Sequence, residues 1–406
     1  MKQNNRGLYA VVGVIVLLLV GLVYAWSVMA KSIGAAFPDW TQQQLSLTFT
    51  LTMTMFCIGC LAGGFMAKKV APANYLRISG VLFLAGFMIA ATAQTPVVLY
   101  LGFGVLCGFA SGLAYSAVMS TVSAWYPDKQ GLISGILLMG FGLSSFFVGK
   151  IFAAAAPADG SDAWRSVFRI FAIVICIILI VCSFLFRKPG ADFVPPAAAS
   201  KKQVREPATE MNTGSMMRSV PFWLYYIWAV LISAVGLALV SQASGIASEV
   251  GTSVAGGTIA TVVGLISILN GIGRVFFGTL FDKKGFRPTM LLCMVVFAIA
   301  ALILIMALRT GAFPLIVLGF VVGGFAYGAV TPTNSAIISD FFGRKNYPMN
   351  FSVINTNLIF ASFASTIAGK LYDNTQSYNS TIIMMLGLTV VGFIVFLGIR
   401  RPKESK

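Results

Sequence analysis

Apolar runs of about twenty residues, separated by short polar turns, follow one another along the whole chain. At 1.5 Å per residue a run of that length crosses the roughly 30 Å hydrocarbon core of a bilayer as an α-helix. The runs resolve into twelve spans, at about 7–30, 43–66, 76–94, 97–124, 131–153, 165–186, 221–245, 256–280, 288–308, 313–338, 348–370 and 378–399. A membrane β-barrel needs strands of about ten residues with alternating polarity, and these runs are unbroken. The pattern therefore predicts an all-α membrane fold. The one long polar segment contains Pro189, Pro195, Pro196 and Pro207 with Lys201, Lys202, Arg205 and Arg218. It reads as a linker over 187–220 between an N-terminal six-helix half, 1–186, and a C-terminal six-helix half, 221–406.

Composition agrees with the pattern. Of 406 residues, 58% are hydrophobic and 10% charged, and the mean hydropathy is +0.89. That is too few polar residues to cover a water-soluble core. The net charge of +16 resembles a nucleic-acid signal until its distribution is read. One side of the membrane carries Lys2, Arg6, Lys68, Lys69, Arg77, Lys129, the basic linker, Lys283, Lys284, Arg287, Arg344, Lys345, Arg400, Arg401, Lys403 and Lys406. The other carries Lys31, Lys150, Arg165, Arg169, Arg309 and Lys370. The richer side is cytoplasmic by the positive-inside rule. This predicts a multi-pass protein of the cell (inner or plasma) membrane with both termini inside, and no nucleic-acid partner. The first run is too long for a signal-peptide core and reads as an uncleaved helix. Cys57, Cys60, Cys107, Cys176, Cys182 and Cys293 all fall in apolar runs and read as small core residues.

The two halves repeat. Gly112-Leu113-Ala114-Tyr115-Ser116-Ala117-Val118 recurs as Gly324-Phe325-Ala326-Tyr327-Gly328-Ala329-Val330, and the same offset carries Asp128 onto Asp340. A duplicated half implies a pseudo-two-fold axis along the membrane normal and a central cavity, the geometry of an alternating-access carrier.

Arg274 supplies the candidate chemistry. It lies roughly 27 Å into the run that starts at Gly256 and roughly 12 Å from Asp282. A cation within a membrane helix costs about 2.5–3.5 kcal/mol on insertion scales, and more by other measures. One way to offset that cost is to snorkel to the headgroups; another is to hold an anion in a cavity. The helix face favours the cavity. Ser267, Asn270, Gly271, Arg274 and Gly278 share one polar, small-residue stripe. A guanidinium binds a carboxylate through two parallel hydrogen bonds, and Asn270 stands one turn away. Tyr115 and Tyr327 form either a symmetric pair of donors flanking the substrate or ordinary packing. Asn334 and Asn357 either touch substrate or bond across helices. No Asp or Glu lies within a span, and the chain has no His. Metal clusters, phosphate cradles and nucleophile–base pairs are missing too, so an enzyme, a cofactor and a bound metal are not expected.

The twelve spans, the repeat and Gly278-Thr279-Leu280-Phe281-Asp282-Lys283-Lys284-Gly285-Phe286-Arg287 resemble the major facilitator superfamily. Within it, Trp125-Tyr126-Pro127-Asp128-Lys129-Gln130-Gly131 and Asn270-Gly271-Ile272-Gly273-Arg274 are similar to the oxalate/formate antiporter family, including bacterial monocarboxylate-carrier-like members. The resemblance implies that Arg274 binds a substrate carboxylate, and that Tyr24, Tyr115 and Tyr327 line the cavity. It also implies gating by Asp282 and Lys283, with Asp128 and Asp340 in the corresponding loops. The first-half copy of the loop has Ala67 where an Asp is expected. The oxalate exchangers carry a second cation, a Lys, in span eleven; here that span has no Lys before Lys370. One cation suits a monocarboxylate such as lactate, pyruvate, formate or acetate. An oxalate-type dicarboxylate exchanger and an exporter of amphipathic compounds remain alternatives, as does a metabolite-sensing receptor. The expected partners are a small carboxylate and the lipid bilayer, and the expected state is a monomer.

Overall fold

The computed structural model describes residues 6–66, 70–126, 130–187, 189–190, 209–343 and 346–402. Among them there is no strand, and twelve helices are long and apolar enough to cross a membrane. They are α1 (Arg6–Ala36), α2 (Gln42–Met66), α3 (Pro72–Ala90), α4 (Pro96–Val122), α5 (Gly135–Ala155), α6 (Ala163–Leu185), α7 (Val220–Val250), α8 (Gly256–Lys284), α9 (Phe286–Thr310), α10 (Phe313–Phe342), α11 (Met349–Thr375) and α12 (Asn379–Gly398). The apolar runs marked every one of them. The ends of α1 and α7 extend several residues past their runs, because Ala30 to Ala36 and Gly245 to Val250 stay helical with half-buried polar residues. Proline in the first turn starts α3, α4, α7 and α10, where its missing N–H would have had no helical partner anyway. Gly285 alone connects α8 to α9, at φ 82°, a left-handed conformation that favours glycine.

The helix pairings repeat six helices apart. α3 packs on α6 as α9 packs on α12; α2 packs on α4 as α8 packs on α10; α1 packs on α5 as α7 packs on α11. The two sets are joined chiefly by α5 against α8 and α2 against α11, with smaller contacts of α1 and α2 on α7. Glycines set the closest approaches. A Cβ at Gly112 would run into the Phe56 carbonyl of α2, and one at Gly324 into Ile266 of α8. The repeated Gly–x–Ala–Tyr motif therefore sits at equivalent helix contacts in the two sets, which is why it recurs. Large side chains such as Val11, Phe65, Phe184, Phe276 and Ile394 point outward, as a lipid-facing surface requires.

Four helices lose α-geometry partway along, and in α4 the chain widens into a π-helix over Tyr100–Cys107. α1 tightens into a 3₁₀ turn over Gly21–Ala25, and α10 breaks at Gly328 and Ala329. α11 breaks at Thr356. In α10 the break precedes Pro332, which has no N–H for the ladder. In α1, Gly21 lies against the Phe141 backbone of α5, and the Ser111 hydroxyl of α4 donates to the Val20 carbonyl at 2.7 Å.

The segment before α7 is described from residue 209 onward. A short helix, Thr213–Met217, is capped by the Asn212 side chain, which accepts from the Ser215 N–H. The Met211 N–H donates to the Phe342 carbonyl, and the Thr213 hydroxyl donates to the Asn350 amide oxygen. This end of the linker is thus fastened to the junction between α10 and α11.

Candidate functional site

Arg274 is 6% exposed and faces the bundle, as its stripe on α8 predicts. Ser267, Asn270 and Gly271 are buried with it, while Ile272, Val275 and Phe276 face out. The guanidinium Nε–H donates to the Asn270 amide oxygen one turn back at 2.8 Å. One Nη1–H donates to the Leu138 main-chain carbonyl of α5 at 2.7 Å. A guanidinium has five N–H groups. The remaining three have no hydrogen-bond partner among the described residues, and no carboxylate neutralises the charge.

Two tyrosines complete the centre. Tyr24 rides the 3₁₀ turn of α1, and Tyr327 ends the first half of α10 just before its break. Their hydroxyls lie near each other and near the Arg274 charge. The Tyr327 ring lies flat over Gly236 of α7, where any Cβ would clash with it. The Tyr24 ring meets Phe141 edge-on at 5.4 Å between centroids. Phe141 also packs on Tyr115 at 5.4 Å and on Phe56 at 5.7 Å. The result is a cation with spare donors and two hydroxyls, next to a cluster of aromatic rings. An anion with a small apolar tail matches both parts: carboxylate to the guanidinium, tail to the rings.

The residues singled out in the sequence divide clearly. Arg274, Asn270, Tyr24 and Tyr327 come together. Tyr115 joins through the ring cluster, not through the Arg274 donors. Asn357 is buried on α11, and its amide donates to the Ala229 carbonyl and the Ser233 hydroxyl of α7 at 3.0 and 2.8 Å. Its amide oxygen has no partner among the described residues. Asn334 accepts from the Tyr225 hydroxyl at 2.7 Å. It lies seven residues past Tyr327 along α10, roughly 10 Å nearer that helix's end, so the structure sets it apart from the cluster. Among the charged loop residues, Asp340 pairs with Arg401 beyond α12 at 2.6 Å. Asp282 and Lys283 lie at the end of α8, and Asp128 falls outside the described residues.

The sequence reading missed three participants. The Leu138 carbonyl is main chain and leaves no mark in a sequence. Phe56 and Phe141 look like any core aromatics, although Gly140-Phe141-Gly142 isolates a ring between two small residues and could have flagged it. Cys57 and Cys60, read as plain core residues, are free thiols that border Tyr24.

The chain was compared with known proteins. The family model of the Major Facilitator Superfamily matches residues 8–285 and 241–406. The oxalate:formate antiporter of Oxalobacter formigenes is 26% identical over 404 residues, covering 97% of this chain and 92% of that protein. Monocarboxylate transporter 13 of Bos taurus is 23% identical over 379 residues, covering 92% of this chain and 84% of that protein. Among solved structures, a bacterial homologue of the human lysosomal transporter Spinster, in an inward-facing and unoccupied conformation, superposes with a TM-score of 0.76 at 14% identity over 100% of both chains. At that identity the likeness concerns the fold.

Proposed function

Because this chain belongs to the Major Facilitator Superfamily, and so is a membrane transporter and not an enzyme, we propose that it is a secondary carrier of small organic anions, with monocarboxylates as its main cargo. The observation that carries the proposal is the buried Arg274 guanidinium, with uncommitted N–H groups beside the hydroxyls of Tyr24 and Tyr327. The full-length similarity to an oxalate:formate antiporter and to a monocarboxylate transporter supports the same class of cargo.

The mechanism follows from what Arg274 touches. Its bond to the Leu138 carbonyl ties α8 to α5, across the contact that joins the two helix sets. A carboxylate is the stronger acceptor for a guanidinium, because the hydrogen bond is then charge-assisted on both sides. Substrate binding therefore takes the Nη groups and releases α5 from α8. Asn270 keeps the Nε–H and holds the fork in plane. Rocking of an N-terminal half, 1–186, against a C-terminal half, 221–406, then exposes the site to each side in turn. The uneven distribution of Lys and Arg supports a topology with both termini and the linker in the cytoplasm, in an inner or plasma membrane.

The test is uptake into proteoliposomes over a panel of lactate, pyruvate, formate, acetate and oxalate. Monocarboxylate uptake should exceed that of oxalate. Arg274→Ala should fall to background, and Arg274→Lys should lose most of the rate, since an ammonium cannot make the paired bonds. Faster oxalate flux would replace the proposal with dicarboxylate exchange. Undiminished flux in Arg274→Ala would overturn the site.

A further inference from the structure

We propose that the cleft between the ends of α3 and α6 binds the phosphate group of an anionic membrane phospholipid. The cleft has a volume of about 320 Å³ and is lined by Pro72, Arg77, Ser183, Phe184, Phe186 and Arg187, among others. It lies at the face of the bundle where α3 begins and α6 ends, the face that carries most of the basic residues. It shares no residue with the Arg274 centre.

Of its two cations, the Arg77 guanidinium is held by side chains and Arg187 is anchored by its main chain, and neither is neutralised by a carboxylate among the described residues. Arg77 donates from Nε to the Ser183 hydroxyl across the helix pair at 3.1 Å, and from Nη1 to the Asn74 amide oxygen at 3.3 Å. Its guanidinium also lies 5.2 Å from the centre of the Phe184 ring. The Nη2 end has no partner among the described residues. Arg187 is held through its main chain, whose carbonyl accepts from the Trp125 indole at 2.8 Å. No carboxylate pairs with either arginine among the described residues. In the sequence the nearest acids are Asp192, five residues past Arg187, and Asp128, three past Trp125, and both fall outside the described residues. Lys68, Lys69 and Lys188 adjoin the lining segments in the sequence.

The surroundings point to a lipid as the source of the phosphate. Below the cleft, toward the membrane interior, Ile78, Val81, Val181, Phe184 and Leu185 are all exposed on α3 and α6. This strip suits acyl chains, and the arginines stand at headgroup depth. Basic pockets between membrane helices take acidic headgroups in this way.

The full-length protein, purified in detergent, would be titrated with phosphatidylglycerol, phosphatidylcholine and inorganic phosphate, and bound lipid counted by native mass spectrometry. Phosphatidylglycerol should be retained and phosphatidylcholine should not. At roughly fivefold per cation, the double variant Arg77→Gln/Arg187→Gln should weaken retention about thirtyfold. Arg77→Lys/Arg187→Lys should stay within a few-fold of the natural protein, and Arg309→Gln, at the opposite face, should not change it. Thermal melts of each variant separate lost binding from lost fold. Equal retention by the glutamine variant, or equal retention of phosphatidylcholine, would overturn the site. Displacement of the lipid by millimolar inorganic phosphate would overturn the lipid assignment.

Discussion

Asn270 and Arg274 stand one turn apart on α8, and the bond between them depends on the amide being neutral. An aspartate at 270 would place a carboxylate where the amide oxygen now accepts at 2.8 Å. Asn270→Asp should therefore act as a built-in competitor, weakening carboxylate affinity by roughly tenfold or more through a desolvated ion pair. Binding titrations across the substrate panel would show it; unchanged affinity would mean that the Arg274 charge does not hold the substrate. The sequence disclosed this pair because a cation at membrane depth is costly and its stripe of small and polar neighbours shows where it points. It could not disclose that Tyr24 and Tyr327 meet, since they lie on helices far apart in the chain. Nor could it show which carbonyl Arg274 would choose, because main-chain acceptors are the same in every residue. Repeat symmetry marked Asp340 as a loop position, but its partner Arg401, just past α12, emerges only from the packing.

At the scale of helices, hydropathy was sufficient for existence and order, because an apolar run of spanning length has one stable outcome in lipid. The departures from regular helix were not legible. The 3₁₀ turn at Gly21–Ala25 arises from contact with α5 and α4, which local propensity does not encode. These irregular turns place Tyr24 and Tyr327 at the centre, and the glycines around them are the fragile points. Gly112→Ala and Gly328→Ala would each push a methyl into the backbone of the neighbouring helix, Phe56 of α2 and Asn270 of α8 respectively. Overpacking of this kind costs about 1–3 kcal/mol. Both variants should melt several degrees below the natural protein, while Gly7→Ala, with open space around it, should not. Equal melting of all three would show that α2–α4 and α8–α10 adapt freely.

Across the whole molecule, the ends of the two helix sets remote from the basic face are stitched by polar contacts. Lys31 donates to the Ser248 hydroxyl at 2.7 Å, and the Gln42 amide donates to Gln242 at 2.9 Å. Both carboxylate oxygens of Asp373 accept from the first N–H groups of α2, at 2.9 and 2.8 Å. An alternating carrier must break and remake these. It does so most easily when the central charge is cancelled: a loaded site is near neutral, whereas an unloaded one carries Arg274 uncompensated past an apolar barrier. Counterflow in vesicles should therefore outpace net uptake. Net uptake of equal rate, driven by an inward pH gradient, would require a proton route that the spans, with no His and no Asp or Glu at the site, do not supply. Single cysteines placed in 187–220 should react with impermeant reagents only from the cytoplasm, and those in 40–44 only from outside; the reverse pattern would invert the topology.

The cation belongs to α8, while Phe56, Phe141 and Tyr115 belong to α2, α5 and α4, so the two ends of a bound acid are received by different helix sets. In the proposed mode the hydroxyls of Tyr24 and Tyr327 would add a third contact beside the axis joining those two ends, enough to distinguish an acid from its mirror image. For a chiral acid such as lactate, the preference between mirror images should have the same sign for influx as for efflux. Tracer flux of the D and L forms, measured in both directions, would read that preference directly.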